Sequence, residues 1–403
     1  MDTITHGIAG ALIGKAFFAD NPVAGGPSWW QRPRTEDRAA IICATLGAMF
    51  PDIDVFFPVF SKQHLAFLMM HRGVTHSLLM LVVWAAGLAL LAKWLAGRAK
   101  WPAPEFSQLF SIFGAALASH ILLDLLTSWG TMAWSPVDHT RLAWDSLFII
   151  DLWLTSIVLL PQVAAWAHGP GKRPPWLAIG AWVVCSGAIF AVAPLVRSLD
   201  VPFPNEAAAG ATLIFAAFLL IPIRQRGRSK LGRTSWARMG MALFVGYLGF
   251  AAAMHTIALN QLRQYAVDGH IDYDNIAALP LPPWPGRWAG LISTGPNTFR
   301  IQFNLLGGEI PRLNVYRNAA NQYVSEARAL PDAQTFMWFA RFPVFTYLER
   351  DGHPVVQISD AQFIGPQRRM PGSNFSSPAT NFTYEVVFGP NGGVMSSGLL
   401  SMR

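Results

Sequence analysis

Six long apolar runs decide most of what this chain can become. They occupy residues 77–95, 106–126, 147–166, 176–196, 207–223 and 239–259, and each approaches the roughly 20 residues that an α-helix needs to cross the hydrocarbon core of a bilayer. Two shorter stretches, 4–18 and 39–50, precede them and read as short or partly buried membrane helices. Only 13% of the residues are charged, about half the share in an ordinary soluble protein. The expectation is an α-helical polytopic membrane domain of about eight helices over residues 1–259. Asp2, Thr3 and His6 stand where a secretory signal would be basic, and no small-residue cleavage site follows, so the first helix is expected to stay. Cys43 and Cys185 fall inside apolar segments, where a thiol behaves as a small buried hydrophobe, and no disulfide framework is expected.

A formal charge of +7 raises the question of nucleic acid, and its distribution answers it. Residues 1–259 hold 19 Lys and Arg against 13 Asp and Glu, whereas residues 260–403 hold 11 against 10. The excess therefore belongs to the membrane part, where it reports topology, and no nucleic-acid partner is expected. The densest basic run, "RQRGRSKLGRTSWAR", contains Arg224, Arg226, Arg228, Lys230, Arg233 and Arg238. Placing that loop in the cytoplasm and alternating backwards puts 14 basic residues inside, with only Lys62, Arg72, Arg141 and Arg197 opposite. The chain is then a multi-pass inner-membrane protein with both ends of the helical part outside.

The same topology gathers the polar residues of the membrane half at the outer face. His71 and His76 precede the third helix, His120 and Asp124 sit near the outer end of the fourth, and Asp145 opens the fifth. Asp52 and Asp54 follow the second helix, and His6 lies near the start of the first. Since Lys and Arg alone set the topology, this convergence is a separate observation. His120 and Asp124 are four residues apart and share one helical face. Neutral imidazole with carboxylate suits zinc and other divalent first-row ions. An unpaired charge at membrane depth costs at least about 2.5–3.5 kcal/mol, so such residues mark function or are paired.

Each residue alone has an ordinary explanation. His120 and Asp124 form a hydrogen-bonded pair across one turn, Asp52 or Asp54 caps a helix, Thr75 is the N-cap of "HSLLMLVVW", Arg72 is an interfacial anchor and His6 a helix-start residue. His64, His139, His168 and His255 have no partner at a telling spacing.

The combination of "DTITHGIAGALIG", "PDID", "HRGVTHS" and "HILLDLLTSWGT" resembles the membrane-bound metal-dependent hydrolases of bacteria and archaea, a family once described only as a domain of unknown function. The match covers about residues 1–160. "WDSLFIIDL" is a weaker match, because Ser146 stands where relatives show proline after the aspartate. That family is distantly similar to the zinc-dependent phospholipases C. The resemblance implies a metal held by Asp52 or Asp54, His71, His76, His120 and Asp124, with His6 and Asp145 as further candidates. No HxxxE pair occurs, so one or two ions, zinc first, are expected rather than three. It also implies hydrolysis of a phosphoester by a metal-activated water, with Asp54 or Asp145 as proton acceptor and Arg72 pairing with phosphate. Lipid head groups lie at this depth, so a phospholipid or lipid-linked phosphate is the expected substrate and membrane lipid the expected partner.

Residues 260–403 change character. "ALPLPPWPGRW" reads as a stiff proline linker, and "TFRIQFNLL", "TFMWFARFPVFTYLE", "PVVQISDAQF" and "FTYEVVF" read as strands. A small extracytoplasmic β-rich domain is expected. No repeat, phosphate-binding glycine loop or GxSxG elbow appears. Two other classes compete with a hydrolase. A proton- or metal-coupled transporter would spread its polar residues toward the midplane. A non-catalytic scaffold with a structural metal would need only four ligands.

Overall fold

The computed structural model describes residues 1–19, 38–61, 65–101, 103–168, 174–198, 205–224, 232–282, 286–307, 310–364 and 382–400. Arg32, Arg34, Lys62, His64, Lys172, Arg173, Arg226, Arg228 and Lys230, which include much of the charge used to orient the chain, lie outside them. The described residues form a helical N-terminal region followed by two antiparallel sheets.

The apolar runs become helices: α1 (Thr3–Ile13), α2 (Arg38–Met49), α3 (Ala66–Met70), α4 (Leu81–Ala99), α5 (Phe106–Leu125), α6 (Leu152–Ala167), α7 (Trp176–Ser198), α8 (Asn205–Arg224) and α9 (Arg233–Asp268). A π-helical turn, Gly14–Phe18, extends α1, and a 3-10 segment, Phe50–Phe60, continues α2. Among the described residues, four stretches are long and apolar enough to cross a bilayer: Arg38–Phe60, Leu81–Ala99, Phe106–Leu125 and Arg233–Asp268. Leu152–Ala167, Trp176–Ala191 and Ala208–Ile221 are shorter apolar helices.

The chain divides into two compact units, one of Met1–Asp54 with Arg72–Ala252 and the other of Val55–His71 with Ala253–Arg403. In the first, Asp2 caps α1 by accepting from the Thr5 amide, and Asp151 caps α6 by accepting from the Leu154 amide. Helix α1 meets α2 through small residues: a Cβ on Gly10 would lie 2.5 Å from the Ala44 carbonyl oxygen, and one on Gly14 would lie 2.9 Å from Ile41 Cα. Such approach lets dispersion contacts hold helices together where lipid offers no hydrophobic drive. Leu12, Leu123, Leu154 and Phe244 form one buried cluster, and Cys43, Leu109, Ile112 and Phe113 another.

In the second unit, β1 (Asn275–Pro280), β2 (Arg287–Ser293), β3 (Asn297–Asn304) and β4 (Arg312–Arg317) form one antiparallel meander. A second consists of β5 (Pro343–Arg350), β6 (His353–Asp360), β7 (Thr383–Phe388) and β8 (Val394–Leu399). Helices α10 (Gln322–Ala329) and α11 (Pro331–Phe339) lie between the sheets in sequence. Two sequence expectations are corrected here. The two ends of the proline run belong to the sheet and not to a linker: Ala278 to Pro280 end strand β1, Arg287 and Trp288 open β2, and Pro280 is tolerated because β1 is an edge strand; residues 283–285 lie outside the described residues. "TFMWF" is helical, because Pro331 starts α11 and Ala333, Phe336 and Phe339 recur at threefold spacing on its buried side.

Candidate metal centre

Four side chains from three separate segments of the first unit meet at one point. Helix α5 contributes His120 and Asp124 on consecutive turns, the 3-10 segment after α2 contributes Asp52, and the 3-10 turn Val74–His76 contributes His76. One ligand atom from each lies within 4.8 Å of all the others. His120, His76 and Asp124 are wholly buried, and Asp52 is 8% exposed.

The spacing fits a cation. His76 Nε2 is 3.0 Å from His120 Nε2 and 3.1 Å from Asp124 Oδ2. Asp52 Oδ1 is 3.6 Å from His76 Nε2 and 3.5 Å from His120 Nε2, and Asp124 Oδ2 is 3.5 Å from His120 Nε2. Ligands at about 2.0–2.1 Å from a tetrahedral zinc ion sit about 3.3 Å from each other, which is the scale of these five edges. Two carboxylates with two neutral imidazoles also balance the charge of one divalent ion.

The outer nitrogens explain why both Nε2 atoms face inward. His120 Nδ1 donates to the Ala48 carbonyl at 2.6 Å. His76 Nδ1 faces Asp54 Oδ2 at 3.1 Å and Thr75 Oγ1 at 3.0 Å. A proton held on each Nδ1 leaves each Nε2 with its lone pair toward the centre, an arrangement common in metal sites. Two lone pairs 3.0 Å apart repel unless a cation or a proton lies between them. Burial alone lowers the pKa of His76, but hydrogen bonds to Asp124, Asp52 and Asp54 overcome it and raise it to about 10.

The other sequence candidates take different positions. Asp54 stands behind His76: its Oδ2 accepts from the Arg72 amide at 2.8 Å and from Thr75 Oγ1 at 2.9 Å. Thr75 therefore faces Asp54, and Ser77 Oγ takes the turn before α4 by accepting from the Leu79 and Met80 amides. Arg72 is buried with φ +61°, its Nε 3.0 Å from Asp124 Oδ2 and its Nη1 2.7 Å from Thr127 Oγ1. It holds Asp124 in place. His6 stacks on the His120 ring at 3.6 Å with Nε2 3.2 Å from Asp124 Oδ1, while its buried Nδ1 has no partner among the described residues. Asp145 is buried at φ +50° in a strand-like segment pinned to the end of α5 through the Trp144 and Ser146 amides. His71 belongs to the second unit and stacks on Phe67 at 4.9 Å. It is not among the four grouped residues.

Sequence reasoning missed four supporting groups. Thr3 Oγ1 donates to Asp52 Oδ2, the Met1 amino group pairs with Asp124 Oδ1, Thr127 anchors Arg72, and the Ala48 carbonyl orients His120. Thr3 and Thr127 lie inside the quoted motifs, which was their one available signal; a backbone carbonyl such as that of Ala48 leaves none.

Residues 1–196 match the family model described as YdjM inner membrane protein, and all four grouped residues lie within that range. The Bacillus subtilis protein named "Uncharacterized protein YfhP" is 25% identical over 171 residues, 42% of this chain. The matched part spans 47% of that relative's length. No solved structure matches.

Proposed function

We propose that this protein is a membrane-embedded, metal-dependent hydrolase of the inner membrane that cleaves a phosphoester in a lipid or lipid-linked substrate. One observation carries the reading: two buried imidazoles present facing Nε2 atoms 3.0 Å apart, ringed by Asp52 and Asp124 at ligand spacing. A divalent ion, zinc by its fit to this donor set, would when bound supply Lewis acidity that lets water ionise near neutral pH.

The chain's own residues then have distinct tasks. Asp52, His76, His120 and Asp124 would hold the ion; Asp54 and the Ala48 carbonyl fix the two rings; Arg72 with Thr127 fixes Asp124. Asp52 keeps 8% exposure where the other three are wholly buried, and its side is the proposed direction of approach. Asp54 is engaged by the Arg72 amide and Thr75, which leaves Asp145, the other carboxylate that the resemblance implies, as the proposed proton acceptor. The match to an inner-membrane family and the split of Lys and Arg between loops support an extracytoplasmic centre within reach of lipid head groups.

Closure of the site favours a second reading, a structural metal, because four protein ligands with three wholly buried are the habit of structural zinc. The two readings separate in one experiment. The protein in lipid nanodiscs is assayed for phosphoester release from a phospholipid panel, before and after chelation and with zinc restored. A hydrolase loses turnover on chelation, regains it with zinc, and lacks it in His120→Ala. Full metal occupancy without turnover, together with unfolding on chelation, would favour the structural role.

A further inference from the structure

The second unit buries an arginine, Arg300, for which the described residues supply no carboxylate partner. Arg300 on β3 is 4% exposed, and its Nε and Nη1 have no hydrogen-bond partner among the described residues. Tyr316 on β4 is 6% exposed, and its hydroxyl also lacks one. The antiparallel register sets Thr298 opposite Tyr316, Arg300 opposite Asn314 and Gln302 opposite Arg312. Directly paired residues share a face, so this face of β3 and β4 carries donors and no carboxylate. The opposite face, with Ile301 and Phe303, packs on Ala258 and Leu262 of α9.

Among the described residues, the two buried carboxylates of this unit are engaged elsewhere. Glu385 pairs with Arg350 at 2.7 Å and accepts from Gln357, and Asp360 accepts from the Arg341 and Phe342 amides and from Gln362. Tyr316 packs among Leu291, Phe342 and Val344, so the surroundings are apolar. Burial lowers the Arg300 pKa and raises that of Tyr316. An arginine stays charged in proteins, and an isolated buried charge is among the costliest features a fold can keep. The buried arginine of the first unit shows the contrast: Arg72 has Asp124 and Thr127.

We propose that Arg300 and Tyr316 anchor a binding site for an oxyanion, a phosphate or carboxylate group, on the inner face of the β1–β4 sheet. The planar guanidinium fork matches two oxygens of such a group, and the Tyr316 hydroxyl supplies a third donor. Arg300 and Tyr316 belong to the second unit and the His/Asp group to the first, and the proposal does not depend on the chemistry of that group.

The test uses the full chain in phosphatidylcholine nanodiscs, melted with inorganic phosphate, with acetate, or with chloride at matched ionic strength, and again in phosphatidylglycerol nanodiscs. At least one oxyanion is expected to raise the wild-type melting temperature by about 2 °C or more, with added hydrogen-exchange protection confined to residues 297–317. A response to phosphate or acetate identifies a free anion as sufficient, and a response to phosphatidylglycerol alone identifies a lipid head group. Arg300→Met is expected to melt higher than wild type without ligand, because an unpaired buried charge is gone, and to lose the response. Tyr316→Phe is expected to keep the basal melting point and weaken the response. The proposal is overturned if no oxyanion shifts the wild type, if Arg300→Met responds equally, or if Arg300→Met melts lower than wild type.

Discussion

At the residue scale, the centre is a set of acids and bases whose charges must cancel. Asp54 fixes the His76 ring from behind, so Asp54→Asn should cut zinc affinity by about 10–100-fold, the usual cost of losing an outer-shell partner. A competition titration against a chromophoric chelator measures this, and an unchanged affinity would remove Asp54 from the site. Protons compete with metal for His76. Its raised pKa of about 10 means that zinc uptake near neutrality displaces a proton, so apparent affinity should fall about tenfold per pH unit between about pH 8 and 6. For the metal-free fold the sign is fixed by the same shift. The charged His76 contributes stability that is complete below its ordinary 6.5 and disappears as pH rises through about 10. Melting curves of chelated protein across that range should therefore show declining stability, and His76→Gln should flatten the decline. Residue types and the His120–Asp124 spacing were legible in the sequence. The division of labour between Asp52 and Asp54 was not, because it depends on how the 3-10 segment after α2 turns, and neither was the commitment of Arg72 to Asp124.

At the element scale, close contact between α1 and α2 sets the positions of the segments that carry the His/Asp group. Gly10→Ala improves helix propensity by about 1 kcal/mol, yet its Cβ would meet the Ala44 carbonyl oxygen at 2.5 Å. The clash should win, lowering the melting temperature and weakening zinc binding through the shift of α1 and α2. Gly87→Ala on α4 is the control: nothing lies within 4 Å of its Cβ, and it should be neutral or slightly stabilising. Equal effects from the two substitutions would show that the α1–α2 contact does not support the site. Apolar length made α4, α5 and α9 legible, since a run near 20 residues leaves few alternatives. The short α11 was not, because a five-residue aromatic run fits either period and only Pro331 pointed to a helix start.

At the scale of the whole molecule, two units are interleaved along the chain. Residues 55–71 fall with the second unit although the site residues on either side, Asp54 and Arg72, fall with the first. Within the second unit α3 packs against α11, a pairing of segments far apart in sequence that no local pattern reveals. The "HRGVTHS" motif is thereby split: His71 leaves the centre's unit while His76 stays in it. His71→Ala should accordingly leave zinc stoichiometry intact, whereas His76→Ala should abolish it. The most direct measurement is zinc K-edge X-ray absorption on the purified full chain. The account predicts one ion with two imidazole nitrogens and carboxylate oxygens at about 2.0–2.1 Å, lost in His120→Ala. Protein that binds no divalent ion at neutral pH, or a zinc shell without histidine, would contradict it.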